Sequence, residues 1–171
     1  MGHEALYRQF KLDEPWNSEH NKALIEKMPT AFAVPGVKAK SPGLTHYRAF
    51  VGPGTAFDPR PEGVRFADFA GRLPETLLVV EAAEPTVWTK PDALTFGPDT
   101  PLPKLGVDRS AAHVLLGNGS VAPLPPAMTE KAMRSAISRT GRDDRAPNPF
   151  SPLPWRGPPL NLILEKHPSQ K

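Results

Sequence analysis

The chain has 171 residues, 39% of them hydrophobic, with 23 prolines against 13 glycines and no cysteine. This is one domain's length with a modest core; the prolines keep helices short, and the missing thiols exclude disulfides, thiolate zinc sites and cysteine nucleophiles. The net charge of +3 splits into +2 from Arg142 onward and +1 over all that precedes it, so there is no basic stripe and nucleic acid is not an expected partner.

In chain order, "MGHEALYRQFKLDEPW" lacks a basic segment followed by an apolar run, so it reads as neither signal peptide nor anchor. Leu6, Tyr7 and Phe10 at helical spacing predict the end of a helix, one that starts as if cut from a longer one. Asn17 or Ser18 is placed to cap a second short helix with Ala23, Leu24 and Met28 on one side, ended by Pro29. Residues 30–42 read as loop. "THYRAFVG" predicts a strand with Tyr47, Ala49 and Val51 on one face, stopped by "GPGT", which is a plain turn because Rossmann and Walker spacings are both absent. Leu77, Leu78, Val79 and Val80 are too short a run to span a bilayer and predict a central strand covered on both faces. "VWTKP" then leaves the sheet, with Trp88 folding back on its edge and Lys90 and Asp92 in solvent. "HVLLGNGSVAPL" predicts a hairpin with a type I′ turn at Asn118-Gly119, the same residues that begin an N-x-S sequon. In "MTEKAMRSAISRTG", Thr129 is the expected N-cap, Met128 and Met133 a hydrophobic staple, and Met133, Ala136 and Ile137 the buried stripe of a helix closed by Gly141. Residues 1–141 form the expected globular domain and residues 142–171 a Pro-rich, mostly disordered tail, whose one apolar cluster (Leu160, Leu162, Ile163, Leu164) either docks on the sheet edge or is left as a sticky strand.

No catalytic, cofactor-binding or metal site is expected. His3, His20, His46, His113 and His167 contain no pair at metal-ligand spacing. Ser18, Glu19 and His20 are neighbours in sequence, but such side chains diverge on a helix and form no relay. Asp58, Glu62, Asp68, Glu75, Glu81 and Glu84 read as a solvated set, and Asp143 and Asp144 as charge balanced by Arg142 and Arg145.

Four strings, "ALYRQFKLDEPWNSEHNKALIEKMP", "YRAFVGPGTAF", "LLVVEAAEPTVWTKPDAL" and "PLPKLG", together resemble the C-terminal globular region of the bacterial domain-of-unknown-function family 1559, also labelled solute-binding family 10. The resemblance runs from about Ala5 to about Gly141. It implies an α+β, type IV pilin- or pseudopilin-like head, with an antiparallel sheet packed on a long apolar N-terminal helix that is missing here. It further implies envelope or extracellular placement, a role in a type II secretion-like apparatus, other pilin-like subunits or self-association as partners, and membrane contact only through the missing helix. The chain departs from the family where "AGRLPET", residues 70–76, replaces "DGTSNT". It departs again where Asp108 stands for a histidine and Asn118-Gly119 for an Asp-Gly pair; His113 is out of register to replace that histidine. The expected function is a non-enzymatic structural or assembly subunit, with two alternatives. One is an extracellular binding module for a small ligand or carbohydrate, using Trp16, Trp88 and Trp155 as stacking platforms; the other is a truncated gene fragment without function.

Overall fold

A computed structural model of the chain describes residues 2–38, 40–107, 112–141 and residue 150. The expectations for Asp108, Trp155, His167 and the apolar cluster at residues 160–164 lie outside the described residues. The elements run α1 (Glu4–Tyr7), α2 (Glu19–Lys22), β1 (Leu44–Arg48), β2 (Phe50–Val51), β3 (Leu77–Val87), β4 (Leu94–Thr95), β5 (His113–Leu116), β6 (Val121–Pro123) and α3 (Glu130–Ile137), with short 3₁₀ turns between them. The fold is α+β. Four strands pair antiparallel in the order β1-β3-β5-β6, and β2 and β4 form a separate parallel pair.

The run predicted as a central strand is the start of β3, which has hydrogen-bonded neighbours on both sides. Its pairing with β1 jumps from Thr45↔Thr86 to Tyr47↔Glu81, leaving residues 82–85 bulged. Pro85, with no N–H to give a ladder, belongs in such a place. The bulge pairs outward instead: the Ala83 N–H reaches the Lys104 carbonyl at 3.0 Å and the Gly106 N–H reaches that of Glu81 at 2.8 Å.

One face of the sheet meets α3. Thr129 caps this helix by accepting from the Ala132 N–H at 3.2 Å. Met133, Ala136 and Ile137 then pack on Leu77, Val80, Val114 and Leu116, with Met128 and Phe150 at the margin. Ala136 and Ile137 are completely buried. The helix ends at Ile137, not at Gly141, because Ser138 turns extended and bridges to Thr55 while the Arg139 N–H bonds the Gly54 carbonyl at 2.9 Å.

Four further expectations are corrected. The strand through "THYRAFVG" breaks at Ala49, whose carbonyl accepts the Leu94 N–H at 2.8 Å and so sends the chain into the parallel pair. The hairpin turn is three residues long: Leu116 and Ser120 close Gly117, Asn118 and Gly119, and of these only Gly119 has a positive φ, +84°. That is a type I turn followed by a left-handed residue, the usual three-residue loop, and not a type I′ turn. The predicted N-terminal helices shrink to single turns; Ser18 does cap α2 and Leu24 is buried, but Tyr7 and Ala23 are exposed. Residues 30–32, read as loop, form a 3₁₀ turn, Thr30–Phe32.

Candidate functional site

"VWTKP" closes off the sheet by anchoring the N-terminal segment. The Trp88 N–H bonds the Gly43 carbonyl at 3.0 Å and its indole Nε1–H bonds the Ile25 carbonyl at 2.9 Å. The ring meets Phe10 edge-on at 5.7 Å and Phe32 at 5.2 Å. The Thr45 hydroxyl donates to the Phe32 carbonyl at 2.7 Å. Together these ties hold Phe32, Val34 and Pro35 as a wall beside β1. Along the wall, on the sheet face away from α3, runs a groove of about 870 Å³. Its floor is Tyr47, Val79, Glu81, Leu115 and Val121, most of it apolar and within the size range of binding clefts.

Glu81 is the exception to that apolar floor. It is only 3% exposed. Its Oε2 accepts the His113 backbone N–H at 2.9 Å, and its Oε1 lies 3.5 Å from His113 Nδ1, with the imidazole more than half exposed. Tyr47 is its cross-strand partner; burial, and then the Glu81 charge, push the phenol above its ordinary range. The groove's other charge, Arg48, is committed elsewhere. Its guanidinium pairs with Asp92 at 3.0 Å and donates to the carbonyls of Asp92 and Ala93. The sequence places Asp92 in solvent, whereas the structure covers it in part: Thr86 Oγ1–H, then Lys90 and Arg48, hold its carboxyl below the usual range against desolvation.

The other carboxylates expected to be solvated fall into local pairs. Asp58 accepts from the Gly54 N–H at 3.1 Å and from Arg139 at 2.9 Å, and Arg139 also donates to the Thr55 carbonyl, so the "GPGT" turn holds the end of α3. Asp68 pairs with Arg60, Glu62 with Arg60 and Glu75 with Arg72, while Glu84 is exposed. His20 contacts the Gln9 carbonyl at 2.7 Å and His46 that of Ala82 at 2.8 Å; Ser18 is occupied as the cap of α2. No three His, Asp or Glu side chains gather as a metal site, and no helix is long and apolar enough to cross a membrane, among the described residues. Trp88 packs its ring on Phe10 and Phe32 and donates its indole N–H to the Ile25 carbonyl while also bordering the groove, and Trp16 is half-buried.

Sequence reasoning did not separate Glu81 from the other carboxylates. The signal was present: a charge flanked by "LLVV" and "AA" within one strand sits where burial on at least one face is expected. A second cavity, of about 970 Å³, lies near Leu102, Pro125 and Met133. Its Arg134 is engaged with Glu130 and with the carbonyls of Gly97 and Thr100. The groove can hold an apolar partner by area and one polar group by Glu81. No family model, curated protein or solved structure matches the chain.

Proposed function

We propose that the protein is a non-enzymatic assembly subunit that receives an apolar element of a partner on the free face of its sheet, as a subunit of a pilin- or pseudopilin-like envelope apparatus would. One observation carries the reading. The sheet face away from α3 is lined by Tyr47, Val79, Leu115 and Val121, where an antiparallel sheet facing water normally alternates to polar side chains. Val121 is 66% exposed and Phe32 40%. Contiguous apolar surface of this kind marks interaction sites, and a pilin-like head uses such a face to lie against a long apolar helix. Against the small-ligand reading, Trp88 spends its ring on Phe10 and Phe32 and its indole N–H on the Ile25 carbonyl, although it also borders the groove.

The test is light scattering of the full chain over a concentration series, with binding of a hydrophobic dye measured in parallel. Self-association or dye binding is expected, and Val121→Glu should diminish it. A monomer at all concentrations that leaves the dye dark overturns the reading.

A further inference from the structure

With Arg48 engaged by Asp92, Glu81 is the one carboxylate on the groove's largely apolar floor, and it selects the occupant. Resting on the docking reading above, we propose that the partner element is an apolar peptide segment carrying a single lysine or arginine, whose cationic head settles on Glu81.

The argument is one of charge complementarity. A carboxylate 3% exposed on an otherwise apolar floor has lost most of its water, and a buried charge is stabilised only by a cation or by several hydrogen bonds. Glu81 has one firm hydrogen bond, from the His113 N–H at 2.9 Å, while the approach of Oε1 to His113 Nδ1 is 3.5 Å, beyond the length of an ordinary bond of this type. Arg48, the cation best placed to help, is turned away into Asp92 and two carbonyls. Thus Oε1 has capacity for a donor from outside, and the Tyr47 hydroxyl, which makes no hydrogen bond among the described residues, lies on the same floor. A Lys or Arg fits because its methylene stem packs on Val79 and Leu115 while its head reaches the carboxylate.

The dimensions favour a chain segment over a compact ligand. The groove crosses strands β1, β3, β5 and β6, about 14 Å at the usual spacing between strands. It is open at Val121 and at Phe32. An elongated element with apolar residues on either side of the cation matches that floor.

Three fluorescently labelled ten-residue Leu/Val/Thr peptides, alike except for a central lysine, norleucine or glutamate, are titrated into the full chain and followed by anisotropy. The lysine peptide is expected to bind at least about tenfold tighter than the norleucine peptide, the scale of one charge-assisted hydrogen bond, and the glutamate peptide weakest. In Glu81→Gln, which keeps an acceptor for the His113 N–H, the lysine and norleucine affinities should converge; a thermal melt verifies its fold. Val121→Lys, at the exposed end of the floor, should weaken the lysine peptide selectively. Equal binding of lysine and norleucine peptides to the unaltered chain overturns the cationic occupant and leaves the docking reading standing. If none of the three binds, both are overturned.

Discussion

The two faces of the four-stranded sheet are made from alternate residues of the same strands, yet they have opposite fates. Toward α3, Val80 and Val114 are each 1% exposed, and the methyls of Ala136 and Ile137 fill the space between them. Away from α3, Val79 and Leu115 are only partly covered and Val121 stands in solvent. Hydrophobicity along the strands is similar on both sides; what differs is whether the chain supplies a second layer. A sheet becomes a stable core only where another element lies over it, so the covered face carries most of the fold's stability and the open face contributes less.

Truncating one side chain in the covered layer and one on the open face should expose the difference most strongly. Ile137→Ala removes a fully buried side chain and should cost about 3 kcal/mol, whereas Leu115→Ala on the groove floor should cost about 1 kcal/mol. Urea unfolding at low protein concentration measures both. Equal losses would mean that the open face is already covered in solution, and the contrast would then have to be redrawn around the covering element.

The covered face is also latched by charge, at the end of α3. Replacing Arg139 by methionine removes the guanidinium donor from the Thr55 carbonyl and from Asp58, which keeps only the Gly54 N–H, and should cost about 2 kcal/mol, less than a fully buried pair because both groups keep some solvent. The same latch sets an acid dependence. The Gly54 N–H first, and then Arg139, hold the Asp58 carboxyl below its ordinary range. A folded value below the unfolded one stabilises the native state above the unfolded value of about 3.9, and this contribution is lost as pH falls through the folded value. Stability of the unaltered chain should therefore drop as the pH falls below about 4. Asp68 and Asp92, also lowered, share in that drop, so Asp58→Asn should shrink it without abolishing it. Acid titration curves of the two proteins that superimpose would show that the latch contributes nothing.

Legibility in the sequence follows the same division. The α3 cap at Thr129, the stripe of Met133, Ala136 and Ile137, and the start of β3 could be read directly, because each rests on local chemistry or on one clear period. The helix end could not. Gly141 looked like a stop signal, but a contact to the distant "GPGT" turn ends the helix at Ile137. The strand break at Ala49 and the committed state of Asp92 were hidden for the same reason, each depending on a partner more than forty residues away or on a carboxylate shared among three side chains. The groove was half legible: apolar strand faces in search of a cover were evident, while the wall held by Trp88 and the isolation of Glu81 required the fold.

The smallest effects, and the finest form of the contrast between pressed and open surface, belong to the hairpin loop. Gly117 and Gly119 flank Asn118, and sequence alone gave the second glycine the leading role. Gly119 does need its left-handed backbone, but a Cβ there would meet nothing within 4 Å. Gly119→Ala should therefore cost only the backbone term, about 1 kcal/mol. Gly117 has an ordinary φ, but its Cβ would lie 2.7 Å from the Leu73 carbonyl oxygen and 2.8 Å from Leu73 Cδ2, at a residue whose N–H is also held by Thr76. Backbone there has to move, so Gly117→Ala should cost more, about 1 to 2 kcal/mol. Asn118 Oδ1 accepts from the Ser120 N–H at 3.0 Å and hydroxyl at 2.7 Å. An aspartate retains both acceptors, and Asn118→Asp should change stability by less than about 0.5 kcal/mol. Melting curves of the three variants give the ranking. If alanine at residue 119 proved worse than at 117, the positive φ would outweigh the contact with Leu73, and the turn's own geometry would dominate how this loop is built.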